Sequence, residues 1–225
     1  MAGEHLLPTL LGLVLALFGP PAIAAGTKDK ETGPPSLGKA LVGQFALLAL
    51  SAGVLLMVLL VENRPLSSIG LFPPRGQTFA LGIALTLFFI FIFSPIAFRM
   101  LSRFQLGGFD QGLSKLAGLP VWYLILAVVI GGSVEELLYR GYAVERLAEL
   151  TGSYWLGGLI SVAVFGLAHV PGWGWGPALT TVVSGGIATA VYIWQQDLLA
   201  LVLAHVTTDF VGIVVTPRFA KSPPA

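Results

Sequence analysis

Three short segments carry side chains that can move protons. In Gly131-Gly132-Ser133-Val134-Glu135-Glu136-Leu137-Leu138-Tyr139-Arg140, two adjacent carboxylates precede a guanidinium. On a helix, Glu136 and Arg140 share a face in the favourable acid-first order, and Glu135 points about 100° away. One carboxylate is then held by a cation while its neighbour has different surroundings, as acid and base roles require. The second segment, Phe165-Gly166-Leu167-Ala168-His169, ends in one of three histidines; the others are His5 and His205. The third, His205-Val206-Thr207-Thr208-Asp209, places imidazole and carboxylate four residues apart on one helical face. There the acid either orients the ring or joins it at a shared centre. Carboxylates with imidazoles suit activation of a water molecule.

Each segment also has a plainer reading. Glu135 and Glu136 open an amphipathic stretch to Leu150 that includes Arg140, Glu145, Arg146 and Glu149, suited to a membrane interface. His169 precedes Trp173 and Trp175, which look like an aromatic belt. His205 and Asp209 can satisfy one another between helices.

The elements that must hold these groups follow from composition. Of 225 residues, 56% are apolar or aromatic and 10% are charged, with mean hydropathy +0.87. Soluble domains carry roughly 25% charged residues, so this chain cannot clothe a water-facing surface. A net charge of +1 without a basic block excludes a nucleic-acid footprint. The absence of cysteine excludes disulfides and Cys-ligated metals.

The fold class is therefore all-α, a polytopic membrane helical bundle of about seven spans. The apolar runs are Leu6–Ala25, Ala40–Val61, Gln77–Phe98, Val121–Tyr139, Tyr154–His169, Pro177–Trp194 and Leu198–Val215. The first also has the shape of a signal peptide, with Pro20, Pro21 and small residues after it, but its leader Met1–His5 lacks basic residues. If it is cleaved, six spans remain. Residues 1–25 thus read as a span or signal-like segment, 26–120 as apolar scaffold and 121–215 as the reactive helices of one membrane domain. An outside N-terminus would put Lys28, Lys30, Lys39, Arg99, Arg103, Lys115, Arg218 and Lys221 in the cytoplasm, and Arg64, Arg75, Arg140 and Arg146 opposite.

A charge at mid-bilayer costs about 2.5–3.5 kcal/mol on insertion scales, so in-span Glu135, Glu136, His169, His205 and Asp209 are functional candidates. Their depths agree. If Thr151-Gly152-Ser153 is a tight turn, Glu136 and His169 each lie roughly 25 Å from it on antiparallel helices. His205 follows a second turn at Gln195-Gln196-Asp197 by roughly 12 Å, and the levels meet if Tyr142–Leu150 projects past the hydrocarbon.

Glu-Glu-x-x-x-Arg, Phe-x-x-x-His and His-x-x-x-Asp, in this order on separate apolar helices, resemble the CPBP family over about residues 120–215. These are CAAX prenyl endopeptidases of type two and related bacteriocin-processing and immunity proteins. The resemblance implies an intramembrane endopeptidase whose active-site set is Glu135, Glu136, Arg140, His169, His205 and Asp209, with Phe165 and Tyr139 supporting. It implies a peptide or lipidated-protein substrate, with CAAX-type prenylated tails as one class, in contact with membrane lipids.

In such a mechanism Glu135 or Glu136 is the general base and Arg140 holds the other carboxylate. His169 and His205 bind water or polarise the carbonyl, and Asp209 sets the tautomer of His205. Zinc held by His169, His205 and Glu136 is equally compatible, since two histidines and a carboxylate leave an open position. The stronger His-Glu-x-x-His signature is absent. A non-catalytic immunity or scaffold protein of the same fold is the main alternative. A proton-coupled transporter is weaker, because no internal repeat is visible.

Overall fold

The computed structural model describes residues 6–27 and 36–219. The leader Met1–His5 and the orientation markers Lys28, Lys30 and Lys221 lie outside the described residues. Seven helices are long and apolar enough to cross a membrane: Leu6–Thr27, Leu37–Val61, Gly76–Arg103, Val121–Thr151, Tyr154–Trp173, Trp175–Gln195 and Leu198–Arg218. The protein is an integral multi-pass membrane bundle. Its outer surface is correspondingly apolar, with Leu7, Phe45, Leu60, Phe91, Trp155 and Trp194 more than half exposed. Such a surface is stable only against hydrocarbon.

The spans alternate in direction, so the bundle has two ends. Residues 62–75, 151–153 and 195–197 gather at one, here called the clasp end. Residues 104–120 and Gly174 lie at the other. The fourth span, Val121–Thr151, is central and packs on the first, second, fifth and seventh. The seventh leans on the third and fourth and scarcely touches the sixth, its neighbour in sequence.

Both expected turns are present. Gly152 adopts φ 71°, a left-handed conformation that glycine takes without penalty, and the Ser153 hydroxyl accepts from Leu156 N to start the fifth span. Gln196 takes φ 49°, and Asp197 then caps the seventh span by accepting from Ala200 N at 3.1 Å. The same carboxylate accepts from Thr78 Oγ1 at 2.6 Å, tying this turn to the third span.

Three local features differ from the sequence reading. The fifth span continues through Pro171 to Trp173, because proline in the last turn removes few helical bonds. Only Gly174, at φ 85° and ψ 177°, separates it from the sixth. Within the polar stretch 99–118 a short surface helix forms, Phe109–Leu116. It is seated by Phe109, whose ring lies 5.0 Å from Phe98 and 6.2 Å from Trp173, and by Gly112 under the Trp173 ring.

The third difference concerns Tyr142–Leu150, whose charged side chains Glu145 and Arg146 are enclosed by the protein instead of lying on an interfacial face. The fourth span is helical throughout, wound in wide π turns from Glu136 to Val144, and Glu145 and Arg146 are buried. Arg146 Nη2 meets Glu62 Oε2 at 2.7 Å with both side chains fully enclosed. Tyr142 OH donates to Glu62 Oε1 at 2.7 Å, and Thr9 Oγ1 reaches the same oxygen at 3.4 Å. Arg146 also donates to the Ser68 carbonyl and hydroxyl, and Arg64 pairs with Glu149. Beside them, Glu145 accepts from Tyr192 and Tyr154, each at 2.9 Å. The scaffold half is therefore not wholly apolar: Glu62, at the end of the second span, anchors the clasp end.

Candidate active site

Glu136 lies at the start of the wide-turned segment, where π winding is frequent at functional positions. Its Oε1 accepts from Arg140 Nη1 at 2.9 Å and from His205 Nδ1 at 2.7 Å. Its Oε2 is buried and has no hydrogen-bond partner in the protein. A carboxylate with one oxygen saturated and the other bare is unusual, since buried polar atoms are nearly always paired.

Arg140 is only 2% exposed and held on three sides. Besides Glu136, its Nε faces Thr189 Oγ1 at 3.4 Å, and its guanidinium lies 4.3 Å from the centre of the Phe165 ring. Phe165 also contacts the Tyr139 ring at 4.8 Å and the His169 ring at 4.7 Å. Tyr139 OH donates to Leu17 O, so the first span braces this stack.

His169 Nδ1 is 2.8 Å from Phe165 O. A carbonyl only accepts, so Nδ1 carries the hydrogen and the lone pair of the neutral ring sits on Nε2.

His205 sits among three carboxylates. Its Nε2 is 3.5 Å from Asp209 Oδ2 and 3.8 Å from Glu135 Oε2, on the side opposite Glu136. The shortest contact of this ring is therefore to Glu136 rather than to Asp209. The Glu136 side chain is 3% exposed, against 27% for Glu135 and 39% for Asp209, so the latter two face the open side of the cluster. Gly132, one turn before Glu136, allows the approach: a Cβ there would lie 3.0 Å from Val206 and 3.5 Å from His205.

Glu135, Glu136, Arg140, His205 and Asp209 thus form one charge-linked cluster. His169, Phe165 and Tyr139 join it through the ring stack. Among the described residues no hydrogen bond or ion pair connects His169 to the carboxylates. Nor does any group of three His, Asp or Glu side chains have the placement to hold a metal ion. The His205 ring stands between the carboxylates instead of sharing a point with them. The set Glu136, His169 and His205 therefore does not fit zinc as placed.

The motifs did not point to Thr189 or Gly185. A Cβ at Gly185 would lie 2.8 Å from Arg140 Nη2 and 3.2 Å from Phe165. The available signal was the small-residue run Ser184-Gly185-Gly186 in the sixth span, since small residues let membrane helices approach. Gly185→Val is expected to displace Arg140 and cut turnover more than about tenfold, while Gly186→Val, where a Cβ meets open space, leaves it unchanged. Equal rates for the two variants in detergent would refute this packing role.

No curated protein and no solved structure matches the chain. Residues 117–211, which span the three motifs and every candidate residue, match the family model for Type II CAAX prenyl endopeptidase Rce1-like proteins, the family that the motifs resemble.

Proposed function

We propose that the protein is an intramembrane endopeptidase that hydrolyses a membrane-associated peptide with water activated by Glu136. The family supports a CAAX-type intramembrane protease in general terms. The observation that carries the finer reading is the bare, buried Oε2 of Glu136. A base needs an acceptor aimed at its water, and the Arg140 and His205 contacts of Oε1 leave Oε2 for that task.

In this mechanism Oε2 takes a proton from water as the oxygen bonds to the scissile carbonyl carbon. His169 Nε2 accepts the second water hydrogen and fixes the attack direction. His205 donates Nδ1–H to Glu136, and with Nε2 also protonated, as the Asp209 and Glu135 carboxylates beside it favour, it donates from Nε2 to the developing oxyanion. The carbon–nitrogen bond then breaks, and the proton held by Glu136 passes to the leaving amine. Arg140 touches no reacting atom and keeps Glu136 in place. The substrate class we infer is a lipid-anchored or membrane-bound peptide, with prenylated CAAX tails as the class the family name specifies.

The test is mass spectrometry of new peptide termini in membranes carrying wild-type or His205→Ala protein, repeated with purified protein after chelation. Wild type is expected to produce termini that the variant does not, and chelation to leave turnover unchanged. Identical termini for wild type and variant would overturn the assignment, and loss of turnover restored by added zinc would overturn the metal-free route.

A further inference from the structure

The two ends of the bundle differ in charge. Among the described residues at the end opposite the clasp, Lys39, Arg99, Arg103, Lys115 and Arg218 are exposed, and Asp110 is the one acid. At the clasp end Arg64 has Glu149 beside it and Arg146 has Glu62, while Arg75 is exposed. Exposed cations are thus more numerous at the end opposite the clasp. By the excess of Lys and Arg this is the cytoplasmic side.

A cavity of about 200 Å³ opens at this same end. It lies between the surface helix Phe109–Leu116, the start of the fourth span and the end of the seventh. Leu113, Leu116, Leu119, Leu124 and Ile213 line it, and Arg218 stands in its wall. No member of the acid–imidazole cluster contributes to it. An apolar slot with a guanidinium in its wall, at an end of the bundle that also exposes Lys115, Arg99 and Arg103, is complementary to an amphiphile with an anionic head.

We propose that this groove binds an anionic phospholipid, with part of one acyl chain against the leucines and the headgroup phosphate at Arg218. Lys115, Arg99 and Arg103 supply the preference for net negative charge, and a zwitterionic headgroup lacks that attraction. The surface helix is firmly seated by Phe109 and Gly112 against Trp173, so its leucines form a standing wall of the groove. This site does not depend on the proteolytic reading, and its test does not use cleavage.

The full chain, purified in neutral detergent, would be titrated with fluorescent phosphatidylglycerol and, separately, fluorescent phosphatidylcholine. Phosphatidylglycerol is expected to bind more tightly. Arg218→Gln and Lys115→Gln should each weaken it about fivefold, with the phosphatidylcholine titration less affected. Leu116→Trp, which fills the slot, should weaken both lipids while the thermal unfolding temperature stays at the wild-type value. Equal affinity of wild type for the two lipids, or unchanged binding by these variants, would overturn the proposal. So would displacement of phosphatidylglycerol by an equal concentration of a neutral isoprenoid-bearing peptide.

Discussion

Glu136→Gln is expected to lower kcat for peptide cleavage by about 10²–10⁴-fold, the usual worth of a positioned general base. The substitution is chosen for its shape. The Gln carbonyl still accepts from Arg140 and His205, and the amide replaces the unpartnered oxygen that would take the proton from water. Ala would also leave Arg140 buried without its counter-ion, at a cost of about 3–5 kcal/mol, and would confuse catalysis with folding. The measurement is kcat and KM on a peptide substrate, alongside thermal unfolding in the same detergent. A fall in kcat with KM and stability preserved fits the assignment, and normal turnover ends it. Glu135, more exposed and with no hydrogen bond to Arg140, is expected to tolerate the same change better. If Glu135→Gln is inactive while Glu136→Gln turns over, the base role moves to Glu135.

The largest loss of stability is expected at the clasp end. Arg146→Leu should destabilise the bundle by about 3–5 kcal/mol, because Glu62 would stay enclosed with no cation to balance it. Tyr142 and Thr9 donate hydrogen bonds to that carboxylate but carry no charge. The double substitution Glu62→Leu with Arg146→Leu should recover much of the loss, since removing both charges removes the desolvation cost with them. Thermal or denaturant unfolding of wild type, Glu62→Leu, Arg146→Leu and the double variant gives the coupling directly. Wild-type stability for Arg146→Leu would show that the pair contributes nothing. Catalytic rates per folded molecule should be unaffected, because this network shares no hydrogen bond with Glu136 or His205.

What could be read in the sequence followed from how local each signal was. Seven apolar runs gave the spans, and Gly152 and Gln196 marked their turns, because span length and turn chemistry are set by neighbouring residues. Counting helical rise out from those turns put Glu136 and His169 at one level, and brought His205 to it only if Tyr142–Leu150 projects past the hydrocarbon. The contact of His205 with Glu136, Nδ1 to Oε1 at 2.7 Å, joins residues 69 apart and needed Gly132 to bring the helices together. Spacing alone suggested Asp209 as the partner of His205, since four residues on one helix is visible in sequence and a neighbour from another helix is not. Glu62 was hidden for the same reason. It reads as the first polar residue after an apolar run, and only the packed bundle reveals Arg146 against it. The short helix at Phe109–Leu116 was masked by the charged and glycine-rich residues around it, and the bulk of Trp173 holds it in place.

The pairing of Glu62 with Arg146 has a consequence for how the chain is made. The two residues are separated by 84 positions, and a ribosome adds roughly 5–20 residues per second. For roughly 4–17 s of synthesis the acid has left the tunnel and its cation has not. During that interval the second helix cannot seat its terminal carboxylate in the bilayer interior, so Glu62 must wait among the headgroups. Closure at this end is therefore a late event in biogenesis, completed when the fourth helix arrives.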